Sequence, residues 1–237
     1  MICFDSEGEE TLSSNVIQMV QRQAKEQESP TLRVTLEARA KLPTRFGQFE
    51  MVAFANNRDR HEHAAVVRGS LEGAEGVLVR LHSECLTGDA FGSLKCDCRD
   101  QLEQALKLVG KEDTGAVLYL RQEGRSIGLV NKIRAYALQD EGLDTVDANL
   151  ALGLPDDARD YEIAARMLQQ LGIRSVRLMT NNPDKVRQLE KHGIRVLERV
   201  AHQLPANGHN VKYLQTKAAR SGHLLDGEAL LGDLDGA

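Results

Sequence analysis

Three cysteines, Cys85, Cys96 and Cys98, sit in the stretch HSECLTGDAFGSLKCDC. Ten residues separate the first two and one separates the last two. Three soft thiolates that can converge on one point suit Zn²⁺. The remaining cysteine, Cys3, lies far off in an acidic N-terminal segment. Three protein ligands and an open position are therefore expected, the arrangement of a catalytic rather than a closed structural zinc. Such an ion lowers the pKa of its water toward neutrality, so the chemistry implied is metal-assisted hydrolysis. The alternative is a Cys₃His knuckle closed by His82. Against it, Cys96 and Cys98 stand at the start of a helix, where exposed N–H groups and the dipole stabilise thiolates.

Three further clusters carry reactive side chains. In RQEGRSIG (121–128) a strand ends in a glycine-bearing polar turn and enters a helix, the place where α/β proteins bind ligands. Glu123 there can accept two adjacent N–H groups, as on the edge of guanine, and Arg125 can clamp a phosphate. A solvated turn with a surface ion pair is the plainer reading. In LPDDARDY, Asp156 suits a helix cap, whereas Asp157 and Arg159 offer an acid/base and a cation two positions apart. In TNNPDK, Thr180 and Lys185 flank a helix start where phosphate oxygens can be held, although Asn-Asn-Pro-Asp is also good turn chemistry. His61 and His63 share a strand face but sit beside a turn (Asn56 to Asp59) and are read as non-functional. Asn131-Lys132 looks like part of a guanine signature, yet no GxxxxGK[ST] loop accompanies it, which excludes a P-loop GTPase.

These residues need elements to hold them. Leu32, Val34 and Leu36 alternate with polar residues, and further strands are expected at Phe49 to Phe54, Ala64 to Val67 and Val77 to Leu81, mainly antiparallel. Helical spacing follows over Asp97 to Val109. Ala116 to Leu120 is a buried strand. A helix over Ser126 to Gln139 is expected to turn Ile127, Val130, Ile133, Ala137 and Leu138 inward. Tyr161 to Leu171 is a helix closed by Gly172, Val176 to Met179 a strand, Pro183 a helix start, Ile194 to Leu197 a last strand, and Lys212 to Leu225 a terminal helix and tail. The fold class expected is α+β or α/β, with a mixed sheet that is mainly antiparallel in its N-terminal half and alternates strands with helices in its C-terminal half. Residues 1–30 read as a flexible extension in which Leu12, Val16 and Val20 share a helical face, 31–225 as the catalytic domain, and 226–237 as a solvated tail.

The 237 residues carry a net charge of −5 and only 4% aromatics, which argues against a nucleic-acid partner. No apolar run is long enough to span a bilayer, and the N-terminus lacks the regions of a secretory signal. Clustered cysteines need reducing conditions to bind metal, so a cytoplasmic location is expected.

Taken together, RLHSECLTGDAFGSLKCDC, RQEGRSIGLVNKIRAYALQDEGLDT, LPDDARDY and LMTNNPDK, in that order, resemble GTP cyclohydrolase II of riboflavin synthesis over roughly residues 33–225. The resemblance implies that Cys85, Cys96 and Cys98 bind zinc. It implies that Arg80, Leu81, His82, Ser83, Glu84, Gln101, Glu123, Gly124, Arg125, Thr145, Thr180 and Lys185 contact GTP. Tyr136 is implied near the reacting imidazole ring, Asp157 as proton acceptor and Arg159 as the residue attacking the α-phosphate. The reaction implied opens the ring at C8, releases formate, and releases pyrophosphate with Mg²⁺ on the triphosphate, giving 2,5-diamino-6-(5-phosphoribosylamino)pyrimidin-4(3H)-one. A homodimer is implied. A monofunctional enzyme is expected, since thirty extra residues cannot hold a butanone-phosphate synthase domain. Departures from the family pattern are Lys95 and Arg99, where Arg and Gly are expected, and the segment RVAHQLPANGHNVKYL. Rival readings are a sibling that stops at the formamidopyrimidine, a paralogue feeding a flavin-like metabolite, and a non-catalytic nucleotide sensor with structural zinc.

Overall fold

The structure is a computed structural model that describes residues 3–4, 10–11, 31–155, 157–220 and 222–226. Leu12, Val16, Val20, Asp156 and the tail beyond 226 lie outside the described residues. The chain divides into two units, Met1–Leu32 and Arg33–Ala237. In the first, a two-residue antiparallel ladder pairs Cys3 with Thr11 and Phe4 with Glu10.

The second unit is built on one seven-stranded sheet. Its strands are β1 (Val34–Thr44), β2 (Gly47–Asn56), β3 (His63–Arg68), β4 (Val77–Ser83), β5 (Gly115–Leu120), β6 (Ser175–Met179) and β7 (Arg195–Val200), in the order β1-β2-β3-β5-β4-β6-β7. Pairing is antiparallel from β1 through β3 to β5 and parallel from β5 through β4 and β6 to β7. The mixed sheet expected from the sequence is present, with one shift. Val77 to Leu81, placed there in the mainly antiparallel half, pairs in parallel on both sides. Its residues explain this, because six of the seven in VLVRLHS are buried, as a central strand covered on both faces requires. The β1 edge is largely exposed.

The helices are α1 (Leu86–Asp89), α2 (Cys98–Val109), α3 (Gly128–Asp140), α4 (Thr145–Ala151), α5 (Glu162–Gln170), α6 (Pro183–Lys191) and α7 (Val211–Arg220). In α2 the sequence pattern and the packing agree. Ala105 and Val109 are fully buried, and with Leu102 and Leu106 they pack on Phe49, Leu78, Val117 and Met179. In α3 the expected face is reversed. Val130 is 65% and Ile133 48% exposed, Ala137 is exposed as well, and the buried residues are Lys132 and Ala135. The helix also starts two residues later than expected, because Ser126 has φ +71°, which no right-handed helix admits. Elsewhere the punctuation acts as expected. Gly172 ends α5 at φ +73°, and Asn182 caps α6 by accepting the Asp184 N–H, with Pro183 at the first position.

The parallel strands β4, β5 and β6 end at Ser83, Leu120 and Met179. The chain leaves β4 for β5 on one side and later reaches β6 on the other. The crevice beyond the carboxyl ends of strands at such a reversal is where open α/β sheets bind ligands. Among the described residues no helix is long and apolar enough to cross a membrane.

Candidate functional site

A single crevice at these strand ends gathers the reactive side chains. Cys85 precedes α1, and Cys96 and Cys98 return at the start of α2. Their three Sγ atoms lie within 4.8 Å of one another, with 3.6 Å between Cys85 and Cys96. A methyl group at Gly88 would come within 2.8 Å of Cys96 Sγ and 3.1 Å of Cys85 Sγ, so only glycine leaves room for the sulfur cradle. His82 is not the fourth ligand of a closed knuckle. Its Nε2 lies 3.0 Å from both carboxylate oxygens of Asp89.

The electrostatics of the thiols also fit a cation. Hydrogen bonds from Cys96 and Cys98, and the Lys132 ammonium 3.1 Å away, hold the Cys85 thiol far below its ordinary range against burial. Cys96, hydrogen-bonded to Cys85 and buried, is pushed up to about 11, and Cys98 rises well above its ordinary value for the same reasons. Three thiols so close resist ionising together. A divalent cation at their meeting point removes that conflict, since a coordinating thiol is deprotonated outright. Soft, convergent sulfurs fit zinc.

The metal wall is braced from behind. Asp89 Oδ2 accepts the Cys85 N–H at 3.0 Å and the Tyr119 hydroxyl at 2.8 Å. Glu123 accepts the Leu86 N–H at 2.7 Å, capping α1, as well as the Gly124 N–H at 2.7 Å and the Lys132 ammonium at 2.8 Å. The sequence reading had this carboxylate open for a base; here it already holds three donors. Glu123 and Cys85 hold the Lys132 ammonium above its ordinary range despite burial. Arg99, a departure from the family pattern, donates to the carbonyls of Asp89 and Ala90 and ties the metal loop to α2. Lys95, the other departure, pairs with Asp140 at 2.5 Å and stands 5.1 Å from the Tyr136 ring centre. Burial pushes the Tyr136 phenol up to about 12, so it stays protonated.

A second stretch of the crevice wall is cationic. Arg80, 6% exposed on β4, donates to the Met179 carbonyl at 3.0 Å and to Gln101 Oε1, and burial pushes it down to about 10, which leaves it charged. Gln101 in turn donates to Asp97 at 2.5 Å. Lys185 reaches from α6 to the Leu81 carbonyl at 2.8 Å, and Thr180 closes a turn on Asn182. Thr145 opens α4 beside them, behind its cap Asp144. Between the walls, Arg159 grips Asp157 through both guanidinium edges, Nε to Oδ1 at 2.8 Å and Nη2 to Oδ2. Burial would raise the Asp157 carboxyl, but the Arg159 contacts and the nearby Arg125 outweigh it and hold it below the usual range.

All the sequence-derived site residues line this crevice except two. Leu81 is core and contributes its carbonyl to Lys185; Asp157 stands behind Arg159. Ser83 and Glu84 line it while bonded to Gln122 and Arg121. His63, read as non-functional, is a satisfied core residue. Its Nδ1 accepts the Arg121 N–H at 3.1 Å and its Nε2 meets Asp59 at 3.3 Å, which sets the direction in which the 121–128 loop leaves β5. Lys132, set aside with Asn131 for want of a P-loop, and His202, not singled out from the sequence, also line the crevice. For Lys132 a signal existed, since it precedes Tyr136 by four residues and so shares its helix face. His202 carried none.

The profile of the GTP cyclohydrolase II family matches residues 35–201. The riboflavin biosynthesis protein RibBA of Bacillus mycoides (strain KBAB4) is 54% identical over 193 residues, covering 81% of this chain and 49% of its own length. The protein of the same name from Bacillus cereus (strain B4264) is 53% identical over the same span. This chain thus spans about half the length of the curated relatives it matches. A crystal structure of RibBX, a two-domain 3,4-dihydroxy-2-butanone 4-phosphate synthase from A. baumannii, aligns at 14% identity and a TM-score of 0.31 over 75% of this chain and 46% of that one. With its cysteine cradle at the reversal of the sheet and a family match running through it, the chain belongs to the GTP cyclohydrolase II family.

Proposed function

We propose that this chain hydrolyses GTP at C8 of the base and at the α–β phosphate bond, releasing formate and pyrophosphate at the first step of riboflavin synthesis. One observation carries the reading. A three-thiol cradle and buried cationic side chains line one crevice of a chain that belongs to this family. Cys85, Cys96 and Cys98 would hold zinc, which would supply Lewis acidity and lower the pKa of water for hydrolysis. Arg80, Lys185 and Thr180, with Arg125, bind and orient the triphosphate, whose remaining charge Mg²⁺ neutralises. Arg159 leaves Asp157 to reach the α-phosphate, which frees that carboxylate to take a proton. Tyr136, held as a phenol, donates toward the imidazole ring as it opens. Glu123 trades Lys132 for the paired N–H donors of guanine, and adenine, lacking that pair, leaves the carboxylate unmatched. We further propose a homodimer in the cytoplasm, where the clustered thiols stay reduced.

The test is zinc-loaded protein with GTP and Mg²⁺, with formate and pyrophosphate quantified together. Equal amounts of both are expected. Pyrophosphate without formate would favour an enzyme that stops at the formamidopyrimidine, and neither product despite bound zinc and GTP would sink the enzymatic reading.

A further inference from the structure

His82 and His63 are both buried, but they are wired differently. His63 uses both ring nitrogens inside the fold. His82 uses one. Its Nε2 faces the two oxygens of Asp89, whose side chain is 8% exposed, and its Nδ1 is buried with no partner among the described residues. The ring lines the crevice two residues along β4 from Arg80, and it stacks on Tyr119 with centroids 5.4 Å apart. An ionised carboxylate only accepts, so the proton in the Asp89 contact belongs to Nε2. Burial, with Arg80 and Lys185 nearby, outweighs the Asp89 carboxylate and works against a second proton on the ring. In a neutral imidazole that leaves Nδ1 as a bare lone pair. A buried acceptor left unpaired is costly to keep and asks for a ligand that satisfies it.

We propose that Asp89 is a positioning residue that fixes His82 as the Nε2–H tautomer, so that Nδ1 stands in the crevice wall as an acceptor for an N–H or O–H donor of the bound nucleotide. The nucleotide rests on the function proposed above; the tautomer does not. Asp89 is suited to the task because its other contacts are polarised. Both the Cys85 N–H and the Tyr119 hydroxyl point at Oδ2. In Asp89→Asn the amide oxygen must stay on that side to keep them, which turns the NH₂ toward His82. The ring nitrogen facing the NH₂ then has to accept, the proton moves to Nδ1, and the crevice acquires a donor where it had an acceptor.

The test is ¹⁵N NMR of the histidine rings in the full zinc-loaded chain. His202 is a built-in control, since its Nε2 lies 2.9 Å from the Gln101 carbonyl, an acceptor that Asp89→Asn does not touch. Without nucleotide, His82 should show a protonated Nε2 and a bare Nδ1. Asp89→Asn should exchange them and leave His202 unchanged. Affinity for GTP should fall on the order of ten- to a hundredfold in the variant, the size expected for a lost and opposed hydrogen bond. A wild-type His82 protonated on Nδ1 would overturn the proposal. So would a reversed tautomer with unchanged GTP affinity. Should the variant fail to fold, the wild type decides alone. GTP must shift the His82 Nδ1 resonance as the lone pair is engaged, and a resonance unmoved at saturating GTP rejects the acceptor role. Failure to bind GTP at all would instead reject the proposed function, a different reading because the tautomer is measured with no nucleotide present.

Discussion

The metal wall and the Asp157–Arg159 pair are held in opposite ways. On the metal side each charged group is committed more than once within the fold. Glu123 holds three donors, Asp89 holds three, and Lys132 bridges Glu123 and Cys85. Between the walls, the Arg159 guanidinium and backbone N–H grip the carboxylate of Asp157, two residues away in the same loop. A wall that must present fixed ligands to one small ion gains from rigidity, because ligand geometry tolerates little error. A pair that serves a moving phosphoryl group must be able to exchange partners. The difference is one between a built site, in which Glu123 alone exchanges a partner when guanine binds, and a poised one.

The comparison breaks most completely at the metal wall. Cys96→Ser, or removal of zinc by a chelator, should lower formate production about a thousandfold, since Lewis-acid stabilisation is worth several kcal/mol and each tenfold about 1.4. Pyrophosphate measured in the same samples sharpens the point. Retention of its release would show that the two walls work separately, and parallel loss that they work as one. Lys132→Met attacks the bracing instead. It leaves the Glu123 carboxylate, whose side chain is 12% exposed, without its cation. A stability loss of about 3 kcal/mol is expected, at the low end for breaking a buried pair because neither side is fully buried. Zinc affinity should fall about tenfold or more, as for other supporting contacts, read by competition with a chromophoric chelator. Unchanged melting and unchanged zinc affinity would show that Lys132 braces nothing.

The poised pair should respond in the opposite manner. Asp157→Asn is expected to lower kcat about a hundredfold or more, the scale of a positioned acid or base, with little change in melting temperature. The pH dependence follows from the direction of the shift. The folded Asp157 carboxyl sits below its unfolded value because Arg159 outweighs burial. Its contribution to stability is therefore present above the unfolded pKa, about 4, and is lost as pH falls through the folded one. Acid titration of melting temperature should show that loss in the wild type and not in Asp157→Asn. The contribution is small, because the side chain is 32% exposed and solvent screens the pair.

How far the sequence could see follows the same division. The cysteine cradle, the strand ends and the caps of α5 and α6 were legible because each is a local pattern: spacing, alternation, a glycine or an Asn-Pro pair. Helix α2 was legible because its apolar face meets the core. Helix α3 was misread by the same rule. Its inward face looks into a polar crevice, so Lys132 is buried and Val130 is out, and apolar periodicity pointed away from the site. Binary pattern identifies the face turned to a core, not the face turned to a ligand. Glu123 lines the crevice, but its three internal partners come from α1, its own turn and α3, and no spacing in the chain announces such a convergence. Arg99 illustrates the converse. In the sequence it stands only as a departure from the family pattern, and the fold turns it into a clasp on two carbonyls.

The smallest expected effect lies in the turn that joins the metal wall to the poised pair. Gly124, Arg125 and Ser126 run consecutively through the left-handed region, at φ +61°, +59° and +71°. Glycine is at home there, whereas a residue with a Cβ is strained by about 1–2 kcal/mol. Arg125 holds its conformation while its carbonyl accepts the Ala158 N–H at 3.2 Å, so the turn also carries the loop that bears Asp157 and Arg159. Ser126 is exposed and does not line the crevice that holds the cysteines. Ser126→Gly should relieve its share of the strain. Set against the greater freedom that glycine gains in the unfolded chain, a net stabilisation of about 1 kcal/mol, or 2–4 °C for a chain of this size, is expected by calorimetry. Ser126→Val, β-branched at the same φ, should destabilise by more than that. If glycine stabilises without altering kcat, the left-handed turn is set by the fold alone. If it stabilises and slows turnover, the strain at Ser126 helps Arg159 to let go of Asp157, and the poised site extends into the turn.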